Sequence, residues 1–399
     1  SWRTSNMTRM KDSGNPWVRE IPSDWFEKKL RYLVKLRGEK SVTTDYKKYV
    51  GLENIMSQTG QYVQTGIEVD LTENLTFEVG DILFGKLRPY LRKYWRAEFS
   101  GTASSEFVII KGSSLNLNFL FWAIQSDSFI NDVDSSTYGS KMPRASWEYM
   151  KNIKLPFPES IEEQTQIADF LDKKVAQLDK VKSLLEEQIK TLEDYRQSLI
   201  YETVTKGLDK TVPLKDSGVD WIGQIPEGWG VGKLKYYFDV QLGKMLQPSA
   251  INGNDIEIDY LRAINVQWDN ISVDNLSKMW CNPSEVSKYE IMNGDLLVCE
   301  GGEVGRCGIV EYLSDRAIIQ NAVHRIRSAE RANVRFLNYY IQHTTKSKWF
   351  DILCNKATIA HLTSEKLLNT LVVLPSISEQ IQIADFLDKK TEQINQMIA

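Results

Sequence analysis

The sequence predicts an α+β protein built twice over. Two globular domains of mixed strands and helices are separated by two long helices that pair as an antiparallel coiled coil, giving a pseudo-two-fold internal repeat. Three observations predict this. At 399 residues the chain is longer than one ordinary domain and suits two or three. Segments of the first half return in order in the second. A leucine also recurs at every seventh position through the stretch that joins the halves.

The repeat organises the rest. Lys11-Asp12-Ser13-Gly14 returns as Lys215-Asp216-Ser217-Gly218, and Trp17, Ile21, Pro22 and Trp25 return as Trp221, Ile225, Pro226 and Trp229. Gly80-Asp81-Ile82-Leu83 returns as Gly294-Asp295-Leu296-Leu297, Leu155-Pro156 as Leu374-Pro375, and the segment QIADFLDKK occurs unchanged at 166–174 and 382–390. Such a repeat is far longer than a solenoid unit, so each copy is a domain with its own linker.

In chain order, residues 1–15 read as an N-terminal extension, with 1–6, ahead of Met7, as a tag remnant. Residues 16–158 form the first globule. Its opening is a packed turn, and the short runs 81–84 and 107–110, apolar and bounded by Gly, Ser or Asn, read as strands. The aromatic-rich run 117–130 has helical spacing. Residues 159–207 form one helix, opened by Ser160 with acids behind it and free of Gly and Pro until Gly207. It would be about 66 Å long at 1.5 Å per residue. Leu171, Leu178, Leu185, Leu192 and Leu199 form its seam, thickened by Val175, Val181, Ile189 and Tyr195. Residues 208–375 repeat the globule, with strands at 295–299 and 317–319 and a helix over 335–350. Residues 376–399 repeat the helix in short form, and Ile383, Leu387 and Ile394 continue the seam. The missing length must then stay unpaired or be covered by another protein, which leaves self-association open.

Composition narrows the function classes. The balance of 42% hydrophobic and 26% charged residues is globular, and no apolar run approaches the roughly 18 residues of a membrane span. The absence of a basic-then-apolar leader and the unclustered Cys281, Cys299, Cys307 and Cys354 lead to the expectation of a soluble, cytoplasmic protein without membrane contact. With only His324, His343 and His361 besides, no metal site is expected, and Cys299 and Cys307 read as core thiols. There is no glycine-rich cofactor loop, P-loop or nucleophile elbow, so the chain is expected to be non-catalytic and to bind no cofactor itself.

A net charge of −4 argues against a general polyanion binder, so any such site is a local patch. The strongest candidate lies between Gly85 and Ala97, where Lys86, Arg88, Arg92, Lys93 and Arg96 occur without an acid and interleave with Tyr90, Tyr94 and Trp95. Cations suit phosphates, and aromatic or guanidinium planes suit bases. The plain alternative is a solvated basic face whose aromatics belong to the core. Lys141 and Arg144 sit in a loop ahead of the long helix, and Thr358 and His361 take their places in the second copy. Altered chemistry at matched positions is what two readers of different sequences would have; an ordinary variable loop would have it too. In the second globule Arg306, Gln320, Asn321, His324, Arg325 and Arg327 could read base edges, although alternation puts only half of a strand's residues on one face.

Taken together these segments resemble the specificity subunits of type I restriction–modification systems. The resemblance rests on the IP-x2-W opening in both halves, on Gly80-Asp81-Ile82-Leu83-Phe84 and Lys86-Leu87-Arg88-Pro89-Tyr90-Leu91, and on Ser104-Ser105-Glu106-Phe107. It rests also on Lys141-Met142-Pro143-Arg144 and on the EQ-x-QIADFLDKK helix start in both halves. It implies two target recognition domains, each reading half of an asymmetric bipartite DNA sequence, and adds Ser105 to the candidate contacts. It also implies helices that set the spacer and dock two modification subunits, and through these restriction subunits. S-adenosylmethionine, ATP and magnesium would belong to those partners. The short second helix departs from the family pattern. Rival readings are a coiled-coil scaffold without a DNA role, and a self-contained methyltransferase or nuclease with unrecognised motifs.

Overall fold

The computed structural model describes residues 9–15, 18–42, 48–65, 73–137, 141–329, 332–354 and 361–399. The tag reading of residues 1–6 lies outside them. The chain divides into two compact units, residues 1–182 and 183–399.

Unit 1 is centred on a four-stranded antiparallel sheet in the order Val34–Leu36, Phe107–Ser113, Ile82–Gly85, Tyr94–Arg96. Alternation decides which core each side chain enters. Ile82, Phe84, Val108 and Ile110 enter one hydrophobic cluster, while Leu83, Phe107 and Ile109 enter another on the opposite face. The first cluster is covered by helices α1 (Leu117–Ala123), α2 (Asp127–Ser135) and α3 (Trp147–Met150) and by the start of α4 (Ile161–Lys206). The expected helix over 117–130 is thus two, because the Ser126 hydroxyl accepts a bond from Phe129 N and restarts the helix at α2. The second cluster lies under a sheet ordered Lys40–Val42, Glu73–Phe77, Gly101–Ala103, Tyr49–Val50.

Unit 2 repeats the central sheet with the same connectivity: Phe238–Leu242, Val323–Ser328, Leu296–Cys299, Cys307–Ile309. Its helices are α5 (Pro283–Tyr289), α6 (Val334–Lys346), α7 (Trp349–Leu353), α8 (Ser364–Asn369) and α9 (Ile377–Ile398). The expected helix over 335–350 is split at Lys348, which has φ of 61°. The outer sheet differs from that of unit 1, having three strands in the order Ser277–Cys281, Ile256–Leu261, Ala317–Ile319.

The repeated motifs do the same structural tasks in both units. Gly80 and Gly294 have φ of 88° and 89°, a conformation that favours glycine. The buried Asp that follows each accepts a backbone N–H, from Glu78 and Met292 respectively, and pairs with an arginine. Arg37 Nε lies 2.6 Å from Asp81, and Arg327 Nε lies 2.6 Å from Asp295. The Gln of each EQ pair is a clamp. Gln164 accepts from Asn116 N and donates to Pro158 O, as Gln380 accepts from Asn333 N and donates to Pro375 O.

The leucine seam differs from expectation. Leu178 and Leu185 are 66% and 53% exposed, Leu171 and Leu192 are half-buried, and only Leu199 packs on the unit 2 core. Ile383 and Leu387 are fully buried, in a cluster with Ile200, Val204, Trp229, Phe336 and Tyr340, and Ile394 is buried as well. The short helix therefore spends its apolar face on the unit 2 globule and the last turns of α4. The start of α9 and the end of α4 meet at Trp229, whose indole N–H donates to Glu379 at 3.1 Å and whose ring lies against Gly207.

Candidate nucleic-acid interface

In unit 1 the strand Ile82–Gly85 runs out into a turn that holds most of the basic run. Arg88 and Arg92 both adopt left-handed backbone conformations, φ 51° and 53°, on either side of the short helical turn Pro89–Leu91. Such conformations cost about 1–2 kcal/mol each in a non-glycine residue, so surrounding bonds must hold them. Arg88 N donates to Pro143 O at 2.7 Å, its guanidinium donates to Lys141 O at 3.1 Å, and Ala145 N donates to Lys86 O at 2.9 Å. Leu87 and Arg144 form a β-bridge. Two loops more than 50 residues apart in sequence are thereby laced into one basic face carrying Lys86, Arg88, Lys141 and Arg144.

Glu106 sits within that face. Its carboxylate accepts from Arg144 at 2.7 Å, and its carbonyl accepts from Lys86 N at 2.8 Å. Exposed Ser105 is its neighbour. The Lys86 side chain has no hydrogen-bond or ion-pair partner among the described residues, and burial, with Arg144 nearby, pushes its ammonium below the usual lysine range. One Glu106 carboxylate oxygen and Arg88 Nε are buried without partners among the described residues, so this face has unused polar capacity.

Other members of the run have structural tasks. Arg92 pairs with Asp127 in the first turn of α2, Lys93 donates to Leu52 O at 2.6 Å, and Arg96 donates to Asn118. Tyr94 and Trp95 belong to the core, while Tyr90 is 48% exposed.

Unit 2 corrects several expectations. His324 is fully buried, its Nε2 lies 2.7 Å from Leu362 O, and burial lowers its pKa, so it offers no edge to a base. Arg325 is 5% exposed and donates to the carbonyls of Lys288 and Glu290, and Arg327 serves Asp295. The reason is that these cations lie on a central strand, where charge is tolerated only when paired. Arg306 donates to Ala263 O at 2.9 Å and pairs with Glu303, leaving its side chain 18% exposed. Asn321 is half-buried, with its N–H donated to Lys244 O. His361 is exposed, and Thr358 lies outside the described residues. Cys299 and Cys307 are buried.

Glu106 and Glu300 escaped the reading of the sequence, which sought cations and amides. The signal was available: the offset of 214 that superposes the GDIL and GDLL motifs places Glu300 over Lys86. Among the described residues no group of three or more His, Cys, Asp or Glu converges as a metal site, and no helix is long and apolar enough to cross a membrane.

A family model described as the type I restriction modification DNA specificity domain matches the chain twice, at residues 22–193 and 226–398. The chain belongs to this family. It is 26% identical over 397 residues to the type I restriction enzyme MjaVIII specificity subunit of Methanocaldococcus jannaschii, covering 92% of this chain and 85% of that one. It is 25% identical over 308 residues to the EcoBI specificity subunit of Escherichia coli, covering 73% and 63% respectively. Its fold is similar to that of the HsdS subunit from Thermoanaerobacter tengcongensis, with TM-score 0.59, 20% identity and 94% and 91% coverage. A chain from a study of complex assembly and conformational transition in the type I R-M system is similar too, with TM-score 0.71, 19% identity and 95% and 93% coverage. The two family matches fall one on each repeat, so the duplication read from the sequence is a duplication of the specificity domain.

Proposed function

We propose that this specificity-family chain is the non-catalytic DNA-reading subunit of a type I restriction–modification complex, each unit reading one half of an asymmetric bipartite target. The observation that carries this is the basic face of unit 1, in which the turn around Arg88 and the loop 141–145 are bonded into a single surface. Lys141 and Arg144 fit phosphates, and Arg88 and Lys86 fit the acceptor edge of guanine. In unit 2, exposed His361 takes the place of Arg144, and half-buried Asn321 is a further candidate.

In this reading α4 sets the spacer, and its exposed apolar stripe docks modification subunits, two in the full assembly, with restriction subunits joining through them. S-adenosylmethionine, ATP and magnesium are bound by those partners, and the extruded base is handled there.

The test is selection from a randomised duplex library by the complex assembled with its modification subunits. One interrupted motif should emerge, with affinity falling steeply as salt rises. Replacing Lys86, Arg88 and Arg144 together by Ala should lower affinity and flatten the salt dependence by about one unit of slope for each phosphate left without its cation. Equal affinity for scrambled duplexes would refute the reading. Removing one heptad from the exposed part of α4 should change the spacer and leave both half-sites intact.

A further inference from the structure

We infer that Glu300 is a specificity-determining residue of unit 2, accepting a hydrogen bond from the exocyclic amino group of a cytosine at the place where unit 1 presents Lys86. The inference rests on the DNA-reading role proposed above and assigns the chemistry of one half-site.

The two side chains leave the same point of the same scaffold. Lys86 follows the strand Ile82–Gly85, and Glu300 follows Leu296–Cys299, its match in the repeated sheet. Lys86 N donates to Glu106 O at 2.8 Å, and Glu300 N donates to Ala322 O at 2.9 Å. Ala145 N donates to Lys86 O at 2.9 Å, and Leu362 N donates to Glu300 O at 2.8 Å. The backbone N–H and carbonyl of each residue are therefore fixed in the same way, while the side-chain chemistry is inverted. In unit 1 the three facing positions are Lys86, Glu106 and Arg144; in unit 2 they are Glu300, Ala322 and His361.

Glu300 is half-buried, and its carboxylate has no hydrogen-bond or ion-pair partner among the described residues. A partly desolvated carboxylate without a partner is unfavourable unless a ligand supplies one. Burial pushes its carboxyl above the usual range, while His361, whose ring lies beside Gly301, pulls it back.

Charge then selects the ligand group. On a surface that meets DNA a carboxylate is repelled by every phosphate, so it cannot be a backbone contact. An ionised carboxylate only accepts hydrogen bonds, and among major-groove edges cytosine offers the N4 amino group with no acceptor of its own beside it. Guanine presents acceptors alone and suits Lys86. Adenine carries N7 next to its amino group and is matched better by an amide. The same scaffold thus reads an acceptor edge in one unit and a donor edge in the other.

The test is selection of targets from a randomised duplex library by the assembled complex with the native chain, with E300Q and with K86Q. The native complex should select cytosine at one position of one half-site, and E300Q should lose that preference about fivefold or more while the other half-site is unchanged. K86Q should alter the opposite half-site only. E300Q is nearly isosteric at a half-buried position, and retention of the other half-site shows that the variant is folded and assembled. An unchanged motif in E300Q, or a changed position that was not cytosine, overturns the assignment while leaving the DNA-reading role standing. A native complex that selects no motif overturns that role itself.

Discussion

The segments 166–174 and 382–390 are identical in sequence, yet they live in different surroundings. In unit 2, Ile383 and Leu387 are completely buried; in unit 1 their equivalents Ile167 and Leu171 are only half-buried. The cause is the end of α4. Ile200 and Val204, themselves fully buried, join Ile383, Leu387 and Trp229 in the unit 2 core. In unit 1 the corresponding surface is an apolar groove of about 220 Å³ lined by Trp25, Phe119, Trp122, Ile167 and Leu171. The difference teaches that a repeated sequence secures a repeated backbone and its clamps, while the burial of a given side chain depends on what the rest of the chain brings to it.

Where the units agree, they should respond alike to the same substitution. Asp81→Ala and Asp295→Ala should each cost about 3–5 kcal/mol, because each removes the buried carboxylate that pairs with Arg37 or Arg327 and accepts a backbone N–H. Chemical denaturation of the variants should give losses of similar size, and a large loss in one unit alone would break the structural equivalence of the motifs.

Where the units differ, the same substitution in the same sequence should differ as well. Leu387→Ala empties a fully buried site and should cost about 2–5 kcal/mol, whereas Leu171→Ala, at the edge of an open groove, should cost about 1 kcal/mol or less. Equal losses would mean that the groove of unit 1 is filled in solution.

Acid should separate the units next. Burial lowers the pKa of His343 to about 4, from an ordinary value of 6.5, and its ring packs on Tyr201 of α4. Because the folded value lies below the unfolded one, the unfolded chain binds more protons as pH falls from about 6.5 to about 4. Stability is therefore lost through that window, by at most about 3 kcal/mol. The matching position in unit 1 is Ser126, which does not titrate there. His343→Gln should flatten the dependence of unit 2 stability on pH between about 6.5 and about 4, as followed by thermal unfolding in a series of buffers.

The smallest effect is expected on the exposed stripe. Leu185→Glu should change the stability of the isolated chain by no more than about 0.5 kcal/mol, since the side chain is 53% exposed. Reduced co-purification of modification subunits with the variant would then support the docking role proposed for α4 separately from folding.

Much of this was legible in the residues. Strand positions followed from short apolar runs bounded by Gly, Ser or Asn, and the duplication followed from its motifs. The start of α4 followed from Ser160 and the acids behind it. The basic face was legible in part: Lys86, Arg88, Lys141 and Arg144 come together, whereas Arg92 and Lys93 proved to be loop anchors. Composition cannot separate these cases, because a cation that holds a carbonyl and one that awaits a phosphate look alike in sequence. His324, Arg325 and Arg327 misled for the same reason, being polar residues with buried partners supplied from distant segments. Glu300 was overlooked because a carboxylate draws attention in a DNA-binding surface only when its place in the scaffold is known.

Sequence by itself determined the doubling of the specificity domain, the α+β class and the long connecting helix, because propensity, capping and periodicity act over a few residues and are repeated in both halves. Only the tertiary structure decided which leucines of α4 are covered, which cations are already engaged, and that the side chain of Glu300 is half-buried without a partner among the described residues. Those outcomes depend on partners brought from far along the chain, and no local pattern encodes the free energy of a contact whose other side lies in a distant segment.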